Sequence, residues 1–368
     1  MQHANRLGNK TLKKLTKGIL WTAGSLAAVA AVNSYIFSRA KAQGNPLGGE
    51  GRFWPGPYGD LFYARQGKGR PVLLLHGIYA GASSYEWRKN FDTLSEHYQV
   101  TALDWLGFGL SDKPRIRYDS AIYIEQLVQF LKEVIGQPCT IIASSLSAAY
   151  AIQAAYEASD LVENLILVCP TGFRRLSSRP DAKTEVIYRT LSAPLLGTTF
   201  WNGLTSTTSL RYYLMNQTYF DPSYVDDQMV DHYSTATHQY GSQNAPPSFV
   251  SGLLNHSVED TFPALHQKII RIIWGREAKM TPLSDAEAFL AANATAELTV
   301  FDKAGLLPHD EQAQAFNRFV VELLNEPESK PAARKTRSPR RTSSTTPTVE
   351  KTPPTEANGH QEEEESHE

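Results

Sequence analysis

The sequence predicts an α/β protein whose mostly parallel sheet is covered by helices. Four short segments are continuously apolar, as expected of strands that are buried on both faces. They are Val72–Leu75, Thr140–Ala143, Leu165–Val168 and Ile269–Trp274. Segments with helical periodicity lie between them, and this β-α-β-α order is typical of a helix-covered parallel sheet.

Two segments carry the helical pattern clearly. The first runs from about Ser120 to Ile135, and Gly136 follows it as a stop signal. The second runs from about Asp310 to Leu324. Apolar residues recur in both at intervals of three and four, which predicts one buried face for each helix. Those of the first are Ile124, Leu127, Val128, Leu131, Val134 and Ile135.

A serine stands at the junction of a predicted strand and a predicted helix. Ser145 follows the apolar run that begins at Cys139 and precedes an alanine-rich helical segment. Ala143 and Ser147, two residues to either side, are small enough for the sharp turn that exposes a nucleophilic serine. Upstream, His76 and Gly77 follow the first strand, and a glycine-containing loop runs from Asp104 to Asp112.

These motifs, in this order, resemble the α/β-hydrolase superfamily over roughly residues 51–325. The resemblance implies a mostly parallel eight-stranded sheet flanked by helices, within a domain spanning residues 45–325. It also implies a mainly helical cap, inserted at about residues 173–262. That segment is rich in aromatic side chains, which indicate either an apolar ligand or a small cap core.

The same resemblance assigns roles at the predicted site. Ser145 matches the nucleophile, and the backbone N–H groups of Ile78 and Leu146 match the oxyanion hole, which stabilises negative charge on the reacting carbonyl. His76 matches a structural position. Asp104 and Asp112 are expected to anchor their loop.

The other two members of the catalytic triad are missing at their motif positions. Leu306 stands where the family has its histidine, and Ala278 where it has its aspartate. His309 is the candidate replacement base, with a capping or packing histidine as the alternative. Glu277 is the candidate acid, with a surface ion pair to Arg276 or Lys279 as the alternative.

Two functions follow from this pattern. One is a serine hydrolase of the esterase or acyl-hydrolase type with an atypical or impaired triad, acting on a small apolar ester or acyl compound. The other is a non-catalytic member of the fold that binds an apolar ligand or a protein partner. Without its base, a nucleophilic serine retains only about 10³- to 10⁴-fold acceleration from the oxyanion hole and binding.

Composition excludes several classes of partner and cofactor. The formal net charge is −2 and the isoelectric point about 6.6, which does not favour nucleic acid. The two cysteines, Cys139 and Cys169, are expected to be buried and unpaired. No metal-binding motif or phosphate loop is present, so we expect neither a metal nor a cofactor. The oligomeric state stays open.

The N-terminal region predicts a membrane anchor. A basic segment, residues 1–17, precedes the uncharged residues 18–38, a stretch just long enough to span a bilayer. The charge bias predicts a cytoplasmic N-terminus and an extracytoplasmic hydrolase domain. The alternatives are a signal sequence cleaved near Ala42, giving a secreted protein, and a purely structural helix.

The C-terminal region, residues 326–368, is rich in Pro, Ser, Thr and charged residues. Such a composition predicts a disordered tail because it cannot bury enough apolar surface to offset its ordering entropy. We assign it no function.

Overall fold

A computed structural model describes residues 25–325. They contain an eight-stranded sheet in the order β1-β2-β4-β3-β5-β6-β7-β8. β1 and β2 are antiparallel to their neighbours, whereas β4, β3 and β5 to β8 run parallel. The predicted fold class is confirmed. The strands are β1 Glu50–Gly56, β2 Gly59–Gln66, β3 Pro71–Leu75, β4 Gln99–Leu103, β5 Cys139–Ser144, β6 Val162–Val168, β7 Ile269–Gly275 and β8 Ala296–Phe301.

Helices cover both faces of the sheet. Alternate residues of one strand enter different apolar clusters: Ile141 packs in the cluster that contains α3 and α4, and Ile142 in the cluster that contains α2 and α12. Burial on both faces explains the continuously apolar strands. The helices are α1 (residues 25–38), α2 Phe91–Ser95, α3 Ser120–Phe130, α4 Leu146–Glu157, α5 Ala182–Leu191, α6 Leu196–Leu204, α7 Thr207–Tyr213, α8 Asp227–Thr237, α9 Pro246–Ser251, α10 Ala286–Ala292, α11 Pro308–Glu311 and α12 Ala313–Asn325.

The two predicted helices are both present with altered ends. α3 continues as a π-helical turn over Leu131–Ile135 and stops at Gly136, whose φ of +67° lies in the left-handed region. The predicted C-terminal helix is two helices, because Gln312 leaves helical geometry between α11 and α12. The side chain of Gln312 donates to the carbonyl of Asp302, which ties this break to the end of β8.

The insertion between β6 and β7 carries five α-helices, α5 to α9, and we call this segment the cap. Its aromatic side chains differ in burial. Trp201, Tyr219 and Tyr233 are buried, whereas Tyr212 and Tyr240 are exposed. Several of the cap aromatics therefore form a cap core.

The predicted membrane anchor is corrected. Within the part of the chain that the structure describes, no helix is long and apolar enough to cross a bilayer. Of the predicted span, the structure describes residues 25–38, which form α1. Its Asn33 is buried and hydrogen-bonded to Thr199 and Asn202 of α6. α1 is thus a structural helix packed on the cap, and the membrane-anchored topology with an extracytoplasmic domain is wrong.

Other N- and C-terminal expectations lie outside the described residues. These are the basic segment 1–17, the first part of the predicted span (18–24) and the tail 326–368.

Asp104 organises the loop that follows β4. Its buried carboxylate accepts hydrogen bonds from the backbone N–H groups of Ser84 (2.6 Å) and Leu110 (2.7 Å). Gly109 has a φ of +49°, and a Cβ there would lie 2.0 Å from the Asp104 carboxylate. Only glycine fits beside this carboxylate. Asp112, in the same loop, is exposed and accepts one hydrogen bond from the N–H of Asp60 (2.9 Å).

We expect Asp104→Ala to lower the free energy of unfolding by about 2–4 kcal/mol, because it leaves one buried and one partly buried N–H group without an acceptor. Asp112→Ala removes an exposed acceptor and should cost about 1 kcal/mol or less. Urea denaturation of both variants measures the difference. Equal losses would show that the buried carboxylate does not organise the loop.

Candidate active site

Ser145 occupies a sharp turn between β5 and α4. Its backbone has φ 54° and ψ −121°, a region that costs a non-glycine residue about 1–3 kcal/mol. The Ser145 N–H donates to the carbonyl of Val168 (2.9 Å), which holds the turn against β6. Ser145 is partly exposed, whereas Ser144 and Ser147 are buried. The turn has the geometry of a nucleophile elbow.

His76 and Ser147 form a network of buried hydrogen bonds next to this turn. With its proton on Nδ1, the imidazole of His76 donates to the carbonyl of Gly77 (2.7 Å) and accepts at Nε2 from the N–H of Trp105 (3.1 Å). The Ser147 hydroxyl donates to the His76 carbonyl and accepts from the Trp105 indole N–H (2.8 Å). All polar atoms of the His76 ring are engaged in binding β3 to β4, which is a structural role.

The two predicted oxyanion donors follow neighbouring strands. Leu146 is the first residue of α4, where backbone N–H groups have no acceptor within the helix. Ile78 follows β3, and Leu75 of β3 pairs with Ala143 of β5 in the parallel ladder. Both residues therefore lie at the same carboxyl edge of the sheet, where α/β proteins bind ligands.

The two triad positions are occupied by buried apolar side chains. Leu306 is 5% exposed and Ala278 is 4% exposed. The N–H of Leu306 donates to the carbonyl of Thr218 (2.8 Å), so this loop is bound to the cap. Neither side chain can accept a proton or orient an imidazole.

Glu277 forms hydrogen bonds with the loop that precedes Leu306. One oxygen of its carboxylate accepts from the N–H of Ala304 (3.0 Å), and its own N–H donates to the carbonyl of the same residue (3.0 Å). The expected surface ion pair does not form: Arg276 pairs with Asp302, and Lys279 donates to the carbonyl of Asn216. Glu277 thus holds the loop, and within residues 25–325 it has no hydrogen bond to a histidine.

His309 is fully buried, and its ring contacts Trp87 and Glu86. Its ring stacks on Trp87, with centroids 4.2 Å apart, and its Nε2 lies 3.2 Å from a carboxylate oxygen of Glu86. No hydrogen bond joins His309 to Ser145 in the described part of the chain. The packing alternative describes the position of this histidine.

Glu86 is the buried carboxylate that sequence reasoning missed. Burial favours its neutral form, but the nearby imidazoles of His309 and His76 and the Gly77 N–H outweigh this, so the pKa of Glu86 lies below its usual range. Its second oxygen accepts from the N–H of Gly77 (2.9 Å) and from the hydroxyl of Tyr79 (2.8 Å). Glu86 therefore joins the predicted oxyanion segment to α11. A lone glutamate between Tyr85 and Trp87 was the available signal.

Two further buried carboxylates follow His309. Burial acts to raise the pKa of Asp310, but ion pairs with Arg88 (2.9 Å) and Lys89 (2.8 Å) hold it below the usual range. Glu311 accepts from the N–H of Gly305 (2.6 Å) and of Phe220 (2.9 Å). Burial raises the pKa of Glu311 to about 7 in spite of these bonds.

The described residues contain neither a disulfide nor a cluster of side chains placed to hold a metal ion. Cys139 and Cys169 are both buried and free. Within residues 25–325, no group of three or more His, Cys, Asp or Glu residues is placed to hold a metal ion.

The raised pKa of Glu311 makes stability depend on pH. A carboxyl whose folded pKa exceeds its unfolded value stabilises the fold most below the unfolded pKa and loses that contribution as pH rises through the folded one. We expect the Tm of the wild type to fall relative to that of Glu311→Gln as pH rises from about 4.5 to about 7. Thermal unfolding at a series of pH values measures this.

Glu287→Gln, which replaces an exposed carboxylate on α10, is the matched control and should keep the pH profile of the wild type. A constant Tm difference between wild type and Glu311→Gln across this pH range would contradict the assignment. A uniform loss of stability in Glu311→Gln is expected, because the amide cannot accept both N–H groups.

Comparison with known proteins gives consistent matches. A family model described as the alpha/beta hydrolase family matches residues 72–319. A 2-hydroxy-6-oxo-6-(2'-aminophenyl)hexa-2,4-dienoic acid hydrolase of Metapseudomonas resinovorans is 38% identical over 112 residues, which is 30% of this chain and 39% of that protein. A 2-hydroxy-6-oxo-2,4-heptadienoate hydrolase of Pseudomonas putida is 25% identical over 268 residues, covering 70% of this chain and 90% of that protein.

Among solved structures, a mutant of the meta-cleavage product hydrolase CumD, a protein of Pseudomonas fluorescens IP01, has a TM-score of 0.62 and 26% identity. The match covers 75% of this chain and 98% of that chain. The family match spans most of the described sheet and the cap between its strands, and these relatives are named as hydrolases. The chain belongs to the α/β-hydrolase family.

Proposed function

We propose that this protein is a serine hydrolase of the ester or acyl type that uses Ser145 as its nucleophile without a histidine or acid at the usual triad positions. The observation that carries the proposal is the partly exposed Ser145 on a strained turn at the start of α4. The serines on either side of it in the motif, Ser144 and Ser147, are buried. Membership of a hydrolase family supports the same reaction class.

The proposed reaction has two steps. The Ser145 hydroxyl attacks an acyl carbon, its Oγ–C bond forms, and the hydroxyl proton passes to water because Leu306 cannot accept it. The N–H groups of Ile78 and Leu146 stabilise the oxyanion, and the leaving group departs with a proton from water. Water then hydrolyses the acyl-enzyme and regenerates Ser145. Turnover is slow because, among residues 25–325, no side chain is hydrogen-bonded to the Ser145 hydroxyl to act as its general base.

The proposed substrate is a small apolar ester or other acyl compound. Two relatives are named as hydrolases of 2-hydroxy-6-oxo unsaturated acids, which supports a compact carbon chain next to the reacting carbonyl. Leu306 and Ala278 supply apolar rather than charged side chains at the two triad positions, which favours an apolar acyl portion.

A second candidate is a binding protein without catalysis. Leucine and alanine at the two triad positions favour it, because these side chains offer apolar surface but cannot transfer a proton. This candidate predicts ligand binding that serine-directed reagents do not affect.

Fluorophosphonate labelling of the purified protein distinguishes the two candidates. We expect slow labelling of the wild type, none of Ser145→Ala, and wild-type labelling of Ser144→Ala, since Ser144 is the buried neighbouring serine. Mass spectrometry of the labelled peptide locates the adduct. Folded wild-type protein that stays unlabelled and does not hydrolyse p-nitrophenyl butyrate would establish the binding protein instead.

Restoring the base gives a second test. We expect Leu306→His to raise the rate of p-nitrophenyl butyrate hydrolysis by about 10²- to 10⁴-fold, because a positioned general base contributes an acceleration of that size. Adding Ala278→Asp should raise it further by orienting the imidazole. Steady-state kinetics measure both variants.

Leu306→Gln is the control for this substitution, since glutamine is polar and of similar size but does not act as a base. Leu306→His combined with Ser145→Ala should be inactive. Equal rates for Leu306→His and Leu306→Gln would show that residue 306 does not face the nucleophile.

A further inference from the structure

The cap helix α8 packs directly on the segment that follows β3, residues 76–85, which we call the β3 loop. Gly81 of this loop has a φ of +76°, and a Cβ there would lie 2.9 Å from the backbone carbonyl oxygen of Tyr233. Only glycine fits at this approach of the two backbones. Beside it, the ring of Tyr85 stacks on that of His232, with centroids 3.7 Å apart. The cap and the β3 loop are therefore in close contact.

Buried side chains connect α8 to the backbone of the β3 loop. The hydroxyl of Tyr233 lies 3.3 Å from the hydroxyl of Tyr79. Tyr79 donates its own proton to a carboxylate oxygen of Glu86 (2.8 Å), so it accepts from Tyr233. The same oxygen of Glu86 accepts from the N–H of Gly77 (2.9 Å). Burial raises the pKa of both tyrosines, so both hydroxyls keep their protons and act as donors.

This network ends beside Ile78, one of the two predicted oxyanion donors. Ile78 is 3% exposed, and within residues 25–325 its N–H has no hydrogen-bond acceptor. The imidazole of His76 donates to the carbonyl of Gly77 (2.7 Å), which belongs to the same peptide group as this N–H. Because the C=O and N–H of a trans peptide point in opposite directions, that bond directs the N–H of Ile78 away from His76.

Glu86 is held on its other side by α11. Its remaining carboxylate oxygen lies 3.2 Å from Nε2 of His309. The first oxygen receives its donors from Tyr79 and Gly77. Removing the Tyr79 hydroxyl leaves the Gly77 N–H as the sole donor to that oxygen in the described part of the chain. The carboxylate and the Gly77 backbone then lose a restraint.

We propose that Tyr233 is a positioning residue, which acts through Tyr79 and Glu86 to aim the N–H of Ile78 at the reacting carbonyl. The competence of the site then depends on how α8 of the cap is seated on the β3 loop. This role rests on the proposed hydrolase function, in which Ile78 supplies an oxyanion donor. Neither tyrosine is assigned a contact with the substrate.

Steady-state hydrolysis of p-nitrophenyl butyrate by the full-length protein tests this role. Loss of a whole oxyanion donor costs about 10²- to 10³-fold in kcat, so we expect a misaimed donor in Tyr233→Phe and Tyr79→Phe to cost roughly 3- to 30-fold. KM should stay within about twofold, because the donor acts mainly in the transition state. The double variant should lose no more than Tyr79→Phe alone, since the two hydroxyls act in series.

Tyr123→Phe is the matched control. It removes another buried tyrosine hydroxyl, on α3, which donates to the carbonyl of Leu106 (3.0 Å). We expect this variant to keep the kcat of the wild type. In an active wild type, an unchanged kcat in Tyr233→Phe, or equal losses in Tyr233→Phe and Tyr123→Phe, would overturn the positioning role.

Hydrogen–deuterium exchange of the peptide covering residues 76–83 tests the network without turnover. We expect Tyr233→Phe and Tyr79→Phe to speed exchange of this peptide by about fivefold or more, and Tyr123→Phe to leave it unchanged. Unchanged exchange in Tyr79→Phe would overturn the network. A wild type that neither labels nor turns over would refute the proposed function, and the exchange data would still decide whether the tyrosines hold the β3 loop.

Discussion

The buried carboxylate of Glu86 is the interaction on which the arrangement of this site depends. It lies between the backbone N–H of Gly77, the hydroxyl of Tyr79 and the imidazole of His309. An ionised carboxylate without partners would be strongly disfavoured inside a protein. Because the partners come from the segment after β3 and from α11, satisfying this one charge fixes two loops of the carboxyl edge relative to each other.

A second buried carboxylate, Asp310, also joins separate segments of the chain. Asp310 pairs with Arg88 and Lys89 and accepts from the hydroxyl of Tyr219, which belongs to the cap. Through Asp310, the segment that follows the Leu306 loop is therefore bound to Arg88 and Lys89 and, by Tyr219, to the cap. The segments that carry Ala278 and Leu306 are tied to neighbouring segments by hydrogen bonds, although neither side chain can accept a proton.

The sequence predicted what depends on local pattern. Strands buried on both faces are continuously apolar, so β3, β5, β6 and β7 could be recognised, whereas β1 is mostly exposed and has no such run. The turn at Ser145 was predictable from small neighbours. Glu86 was not, since its partners are distant in sequence. The hydropathy of residues 18–38 suggested a membrane span. Hydropathy is calculated from the sequence alone, so it does not show that Asn33 forms hydrogen bonds with α6.

The strain at Ser145 alone does not distinguish a hydrolase from a binding protein. The first turn of α4 contains two buried alanines, Ala148 and Ala149, which let the helix pack closely on the sheet, and this packing requires a sharp turn whatever the function. The partial exposure of Ser145 is different. A serine kept only for its size could be buried like Ser144, whereas an attacking hydroxyl has to reach the substrate. Accessibility of that hydroxyl, next to a helix N-terminus, is therefore the feature that favours catalysis.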